Sequence, residues 1–271
     1  MVELTDDNLY NSQPNRDSVT SIVSWLDSGQ NHQTELQYGD RGEITAETDA
    51  LGRTTKYQYD NTKTFPEQTI NPPGHPTRFS YDLGTGNLLW QEKNGIRTYF
   101  EYDTFGRVTK EVQPYDTASH PTKSYTYSFD GTAPESIKVS QRTTANKTLD
   151  TYYYYDGFGQ LIQIKTPGYF SSEQAVKNFF YDGQGRIKAE QNPYFDTFST
   201  TLATASATAA YLNYTYDALS RVTNVTFPDY TNITVVFDHW TVSSNDQNRH
   251  RKDYYLDAYD RITKITEHNI D

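Results

Sequence analysis

The sequence contains no cysteine, which excludes disulfide bonds, thiol catalysis and thiolate metal sites together. It also lacks any apolar run approaching the roughly 20 residues that a membrane-spanning helix needs. Residues 1–7 show neither the basic nor the apolar region of a signal peptide. A cysteine-free chain is compatible with a large secreted protein that avoids free thiols, although intracellular chains without cysteine also exist.

Aliphatic residues and positive charge are both scarce. Only 34% of the residues are hydrophobic and the formal net charge is −11, which argues against nucleic acid as a partner because phosphate binding needs clustered Lys and Arg. The one basic cluster, residues 249–252, is interpreted as a solvated turn. The sequence is instead rich in aromatic residues, with 24 Tyr and 13 Phe. Since Tyr buries a large ring and keeps a wet hydroxyl, we expect thin sheet layers rather than a thick apolar core.

One short phrase recurs along the chain: Tyr-Asp, two variable residues, Gly, Arg and an aliphatic residue. Repetition at a roughly regular interval indicates a repeat architecture. The pattern stops shortly after its last copy, so we expect the chain to be part of a longer array. The clear copies begin at Tyr102, Tyr155, Tyr181 and Tyr216, and the weaker ones at Tyr38, Thr48, Tyr81 and Leu256.

Each repeat predicts a β-hairpin. Aromatic residues two apart precede the Asp, as at Tyr214 and Tyr216, and this spacing places both rings on one face of a strand but not of a helix. The Asp-x-x-Gly that follows predicts a type I turn closed by a residue with positive φ, a common hairpin connection. Serine fits that closing place less well than glycine, so we expect strain at Ser220. The predicted closing residues are Gly42, Gly52, Gly86, Gly106, Gly159, Gly185, Ser220 and Asp260.

The predicted fold is therefore all-β, with tandem antiparallel β-hairpin repeats forming a long curled or spiralling sheet, a partial shell or barrel wall. About ten hairpins give roughly twenty strands, on the order of 95 Å of continuous sheet at ~4.8 Å per strand. Open twisted sheets of more than ~10 strands curl or split. In the return strands, apolar residues are three apart, as at Val222 and Val225. Either both faces are partly apolar or a bulge intervenes.

Two regions depart from the regular pattern. Residues 1–35 are interpreted as irregular or as a diverged N-terminal repeat, with loop at 8–17 and a possible strand within 19–26. Residues 36–271 form the repeat array. The longest interval between repeats carries a Thr/Ala-rich insertion near 196–212. Its composition permits a short helical turn or a loop, and we interpret it as a surface insertion.

The repeated phrase, including the longer copy over residues 216–229, resembles the YD or Rhs repeat. The stretch from Trp240 through Asp246 to Asp257 also resembles a segment common in that family, and the likeness covers roughly residues 36–267. It implies a strip of hairpins spiralling into a hollow shell, as in Rhs polymorphic toxins, the cocoon-forming components of insecticidal toxin complexes and the extracellular barrel of teneurins. The family's self-cleaving C-terminal core segment has no match here, so neither autoproteolysis nor a toxin identity is carried over.

No grouping of residues predicts catalysis, and we identify no catalytic residue, cofactor site or metal site. The repeated Asp residues occupy equivalent turns, which accounts for them without the paired carboxylates of glycoside chemistry. The histidines lack ligand spacing, and residues 245–248 lack the Gly and Glu of a calcium loop. The Asp residues are Asp60, Asp82, Asp103, Asp130, Asp156, Asp182, Asp217 and Asp238; the histidines are His32, His75, His120, His239, His250 and His268.

We interpret the chain as a non-enzymatic structural module, a segment of the YD-repeat shell of a secreted or cell-surface protein that encloses a toxin or serves as an adhesion scaffold. Its partners would be the remainder of the shell or an enclosed C-terminal domain. One alternative is a carbohydrate-binding surface module that uses exposed Tyr, such as residues 152–155. Another is a subunit of an extracellular filament assembled through sheet edges. Glycosylation sequons, which matter only in a glycosylating cell, lie at Asn146, Asn213, Asn224 and Asn232.

Overall fold

A computed structural model of the protein describes residues 2–5, 19–24 and 32–268. Every regular element in those ranges is a β-strand, so they hold no helix that could cross a membrane. The chain divides into two compact units, Met1–Ser124 and Tyr125–Asp271. The prediction of an all-β fold built from antiparallel hairpins is confirmed, while the loop predicted at 8–17 lies outside the described residues.

The first unit is an antiparallel meander, in which each strand pairs with its neighbours in the sequence. A strand within the predicted range 19–26 is present as β2. The strands are β1 (Val2–Thr5), β2 (Ser21–Ser24), β3 (His32–Tyr38), β4 (Ile44–Thr48), β5 (Thr54–Tyr59), β6 (Pro66–Ile70), β7 (Pro76–Tyr81), β8 (Leu88–Lys93), β9 (Ile96–Tyr102), β10 (Val108–Val112) and β11 (Lys123–Ser128), the last of which continues past Ser124.

The second unit is also antiparallel. Its strands are β12 (Glu135–Thr144), β13 (Lys147–Tyr155), β14 (Leu161–Pro167), β15 (Glu173–Tyr181), β16 (Ile187–Gln191), β17 (Tyr194–Thr197), β18 (Tyr211–Tyr216), β19 (Val222–Thr226), β20 (Asn232–Asp238), β21 (Thr241–Asn245), β22 (Arg251–Leu256) and β23 (Ile262–His268). The meander is interrupted once. The first half of β15 pairs with β17 and its second half with β16, which also pairs with β18.

The hairpin turns have the predicted geometry. All eight predicted closing residues have positive φ, from 58° at Asp260 to 87° at Gly42. In one representative turn, the Gly106 N–H donates to the Asp103 carbonyl, and the Asp103 N–H donates to the Arg107 carbonyl, both at 3.0 Å. Ser220 adopts φ 63°, where its Cβ is crowded against the backbone, so the strain expected at this turn is present.

A bulge near the start of most return strands explains the spacing of three; the strand after the Asp49 turn pairs without one. Val222 pairs with Tyr216 and Asn224 with Thr215, which leaves Thr223 as the extra residue. Val225 then pairs with Tyr214, so Val222 and Val225 lie on the same face as the two tyrosines. Of the two interpretations left open by the sequence, the bulge is correct. The same register shift occurs beside Tyr38, Tyr59, Tyr81, Tyr102, Tyr155, Tyr181 and Leu256.

Few side chains are buried completely, as expected for thin layers. The buried apolar residues in the described part of the chain are Ala46, Val112, Tyr154, Val176 and Ala189. The buried polar ones are Asp60, Gln163, Lys165, Gln174, Asn178, Gln191 and Asp253. A buried polar group is unfavourable without a hydrogen-bond partner. The cluster of such groups on β14–β16 therefore indicates a hydrogen-bonded network in the second unit.

Candidate functional site

The Asp and Arg of a complete repeat form a clamp across their own turn. Oδ1 of Asp182 accepts the N–H groups of Gln184 and Arg186 at 2.9 and 3.0 Å. Oδ2 accepts from Nε of Arg186 at 2.8 Å and lies 2.7 Å from Nη2. The backbone N–H and then the guanidinium of Arg186 lower the pKa of Asp182. The Asp182 carboxylate therefore stabilises the turn in which it lies. Equivalent clamps join Asp49 to Arg53, Asp103 to Arg107, Asp217 to Arg221 and Asp257 to Arg261.

The clamp arginine can also reach the following repeat. The Arg186 guanidinium carbon lies 4.4 Å from the centroid of the Tyr216 ring, and Nη1 donates to Oγ of Ser220 at 3.3 Å. At one turn the arginine is replaced by Gln160, whose amide donates to the Gly185 carbonyl at 3.0 Å. The connection between consecutive turns is therefore kept even where the charge is lost.

The tyrosine of the repeat connects consecutive hairpins in a second way, which we call the tyrosine latch. The Tyr181 hydroxyl donates at 2.8 Å to the carbonyl of Leu161, the first residue of the preceding return strand. This carbonyl lies 20 residues earlier in the chain, so the hydrogen bond forms only when the two hairpins are packed. Other latches join Tyr102 to Leu88 at 2.9 Å, Tyr216 to Ile187 at 2.7 Å and Tyr38 to Val19 at 2.6 Å.

The Thr/Ala-rich insertion forms a strap, defined here as residues 198–210, between β17 and β18. It contains no helical turn. It lies over Gln163 and Lys165 of β14 and over Gln174 and Asn178 of β15, each at most 4% exposed. Because side chains alternate along a strand, these groups lie on the face opposite Phe179 and Tyr181. We call the side chains beneath the strap, Tyr154, Gln163, Lys165, Gln174, Asn178 and Gln191, the polar cradle.

The cradle side chains bind the main chain of the strap and of the preceding residue, Thr197. The Gln163 amide donates to the Ala203 carbonyl at 2.8 Å and accepts the Ala203 N–H at 2.9 Å. Gln174 donates to the Thr197 carbonyl at 2.9 Å and accepts the Ser199 N–H at 3.2 Å. Each glutamine thus offers one donor and one acceptor, as a neighbouring strand would.

The other cradle side chains complete the network. Lys165, only 1% exposed, donates to the carbonyls of Ser199, at 3.2 Å, and Thr201, and burial lowers its pKa. The Tyr154 hydroxyl donates to the Thr200 carbonyl at 2.8 Å, and burial raises the pKa of Tyr154 to about 12. Asn178 joins Gln163 to Gln191 through two amide hydrogen bonds of 2.6 Å, and Gln191 donates to the Ser206 carbonyl at 2.6 Å.

Residues 245–248 belong to a further repeat turn. Asp246 accepts the N–H groups of Asn248 and His250 at 2.9 and 2.8 Å, and Arg249 closes the turn with φ 67°. His250 stands where other turns have arginine, with Nδ1 2.9 Å from Oδ2 of Asp246. This copy was not predicted from the sequence because neither the Tyr nor the Gly of the repeated phrase is present. In the basic cluster, Arg251 pairs with Asp253 and Lys252 with Glu267.

The repeated Asp residues lie at separate hairpin turns rather than in one cleft. His239 contacts the adjacent Asp238 at 2.6 Å, and His268 contacts Asp253 at 2.8 Å. Within the residues that the structure describes, no three His, Cys, Asp or Glu side chains form a group suited to a metal ion.

Residues 152–155 do not form an open aromatic surface. Tyr154 is 3% exposed beneath the strap, and the other three rings are half-buried. Among the residues that the structure describes, the most exposed aromatic side chains lie instead on turns and loops, at Phe105, Tyr115, Phe158, Tyr169 and Tyr230. Of the sequon residues, Asn146, Asn213 and Asn232 are exposed and Asn224 is half-buried.

No family model and no curated protein matches the sequence. Solved structures do. A crystal structure of TcdB2-TccC3 aligns with a TM-score of 0.67 at 14% identity, covering 88% of this chain and 15% of that one. A crystal structure of TcdB2-TccC3-Cdc42 aligns with a TM-score of 0.66 at 11% identity, covering 92% of this chain and 18% of that one. These structures contain the Rhs/YD-repeat shell.

The chain has a YD-repeat-like fold. It spans less than a fifth of the length of the chains it matches. The signal that predicted the YD-repeat fold was the phrase itself, because its Asp, Gly and Arg make the local contacts of each turn. The latch and the cradle had no comparable signal, because their partners come from different repeats.

Proposed function

We propose that the chain is a non-enzymatic segment of the wall of a YD-repeat shell, in a secreted or cell-surface protein associated with a toxin. The observation that carries this proposal is the tyrosine latch. A hydroxyl that binds the backbone of the preceding hairpin couples repeats to one another, which is what a continuous wall requires. The partners of such a wall are the rest of the shell and other components of a toxin assembly.

The chemistry of the turns supports a structural role. The carboxylates of Asp103, Asp182 and Asp217 each accept two backbone N–H groups and an arginine of the same turn. Hydrogen bonds to the charged form keep a carboxylate ionised and poorly basic. A general acid needs the opposite, a pKa raised toward neutrality. These three Asp side chains are therefore suited to holding turns and unsuited to proton transfer.

Protease protection of the complete gene product tests the proposal. If the chain is part of a closed wall, a brief digestion should leave the wall and any enclosed segment intact, and negative-stain images should show discrete hollow particles. A matched protein with Tyr181→Phe and Tyr216→Phe should be digested faster, whereas Tyr230→Phe, at an exposed position (89%), should behave like the unaltered protein. Filaments, or solid particles without an enclosed space, would contradict the shell proposal.

A glycan array with the 271-residue chain distinguishes the carbohydrate-binding alternative from the shell proposal. The shell proposal predicts no binding that depends on exposed rings. Tight binding to a defined glycan that is lost in Phe158→Ala or Tyr230→Ala, with the fold retained, would favour the carbohydrate-binding module instead.

A further inference from the structure

We propose that the polar cradle is a binding site for polypeptide main chain, which accepts an extended neutral segment rich in Ala, Ser and Thr, and that the strap is its built-in occupant. This inference goes beyond the shell proposal, because it concerns one face of the second unit and holds whether or not the repeats form a closed wall.

The first argument is the kind of group that the cradle contacts. The strap offers it the carbonyls of residues 199, 200, 201, 203 and 206 and the N–H groups of residues 199 and 203, and the last residue of β17 adds the carbonyl of residue 197. All of these belong to the backbone. Since every residue other than proline has the same N–H and carbonyl, these hydrogen bonds do not depend on the order of the side chains in the segment.

The second argument is the burial of the cradle. Gln163, Lys165 and Gln174 are each 1% exposed and Gln191 is 0% exposed. Water therefore does not reach these side chains while the strap covers them. A buried donor or acceptor without a partner is unfavourable. The cradle is therefore complementary to a backbone that presents several carbonyl acceptors and a few N–H donors, and an apolar ligand would leave its amides unsatisfied.

The third argument is the composition of the occupant. Residues 199–210 contain no charged residue and consist almost entirely of Ala, Ser and Thr. Small side chains allow the backbone to approach the sheet closely, and the absence of charge avoids burying an ion beside the Lys165 ammonium. These two properties define the class of polypeptide that would replace the strap.

The experiment removes the strap from the folded protein and measures whether added peptides bind in its place. Protease sites are introduced on the two flanks of residues 198–210, the folded protein is cleaved, and the released peptide is removed by dilution and gel filtration. A fluorescein-labelled peptide of residues 198–210 is then titrated and followed by anisotropy. The proposal predicts saturable binding, and a shuffled peptide of the same composition should bind with similar affinity.

Backbone methylation supplies the decisive comparison. Methylation of the Ala203 nitrogen removes a donor that Gln163 uses, and affinity should fall about tenfold or more, as expected for one lost hydrogen bond. Methylation of the Leu202 nitrogen is the matched control and should have a smaller effect. Absence of binding by any peptide, or binding of the native peptide alone, would overturn the proposal.

A measurement on the uncut chain covers the case in which the cleaved protein unfolds. Hydrogen exchange at the Ala203 amide should be about tenfold faster in Gln163→Ala than in the parent. Exchange should be unchanged in Thr204→Ser, which keeps the backbone and trims a side chain. Faster exchange in Thr204→Ser but not in Gln163→Ala would show that side chains hold the strap and would overturn the proposal.

Discussion

The tyrosine latch gives the most informative prediction. Replacing Tyr181 by Phe removes the hydroxyl that donates to the Leu161 carbonyl at 2.8 Å and keeps the ring. A hydrogen bond of this kind contributes about 0.5–1.5 kcal/mol net, and the half-buried carbonyl is left without its donor. We therefore expect Tyr181→Phe to lower the free energy of unfolding by about 1 kcal/mol. Tyr181→Phe combined with Tyr216→Phe should lower it by about 2 kcal/mol if the two latches act independently.

Urea titration followed by circular dichroism and by tryptophan fluorescence measures this effect. The midpoint should fall in each latch variant while the slope of the transition stays constant, because the surface exposed on unfolding is unchanged. Repeat arrays can lose cooperativity, so the two probes should be compared. If they separate, the loss should appear in the transition of the second unit, which contains Tyr181 and Tyr216.

The matched control is Tyr230→Phe, since the Tyr230 side chain is 89% exposed. It should leave the midpoint unchanged. Equal midpoints for Tyr181→Phe, Tyr230→Phe and the parent would refute the claim that the hydroxyl couples successive hairpins.

Two further predictions concern single turns. Gly159 has φ 75° with no atom within 4 Å of an added Cβ, so Gly159→Ala should lower the free energy of unfolding by about 1–2 kcal/mol through backbone strain alone. In the same turn, Gly157→Ala should be neutral or should raise the free energy of unfolding by about 0.4–1 kcal/mol. Equal shifts of the melting temperature in the two variants would contradict the assigned turn geometry. The Thr62 hydroxyl, followed by the N–H groups of Phe65 and Thr64, lowers the pKa of Asp60 from 3.8 to about 2. Because this pKa is depressed on folding, its stabilisation is complete above the ordinary value and is lost as the pH falls toward about 2. Asp60→Asn should therefore flatten the pH dependence of stability in that window, and an unchanged slope in acid titrations would show that Asp60 does not contribute.

The turns were predictable because the information is local. Asp and Gly at fixed offsets determine the type I turn and the positive φ, and Ser220 adopts it despite the unfavourable residue type. The aromatic pairs were predictable for the same reason, since a period of two defines a strand face. The bulge was not, because the spacing of Val222 and Val225 fits two arrangements until the register with Tyr214 and Tyr216 is known.

The cradle could not be predicted because its contacts are long-range and because the alternation of polar and apolar residues in its strand indicates a solvated face. The Tyr154 hydroxyl and the Thr200 carbonyl are 46 residues apart. Gln163 and Lys165 alternate with Ile162 and Ile164, a pattern typical of a strand with one solvated face. The strap turns that face into a buried one, and nothing in a Thr/Ala-rich insertion signals what it will cover.

An electron cryomicroscopy reconstruction of the complete gene product would show whether the repeats form a wall. We expect the hairpins of this chain to form part of a continuous wall around an enclosed space, with the Tyr181 hydroxyl within hydrogen-bonding distance of the Leu161 carbonyl. A reconstruction in which these hairpins are separated from one another, or in which they enclose nothing, would contradict it.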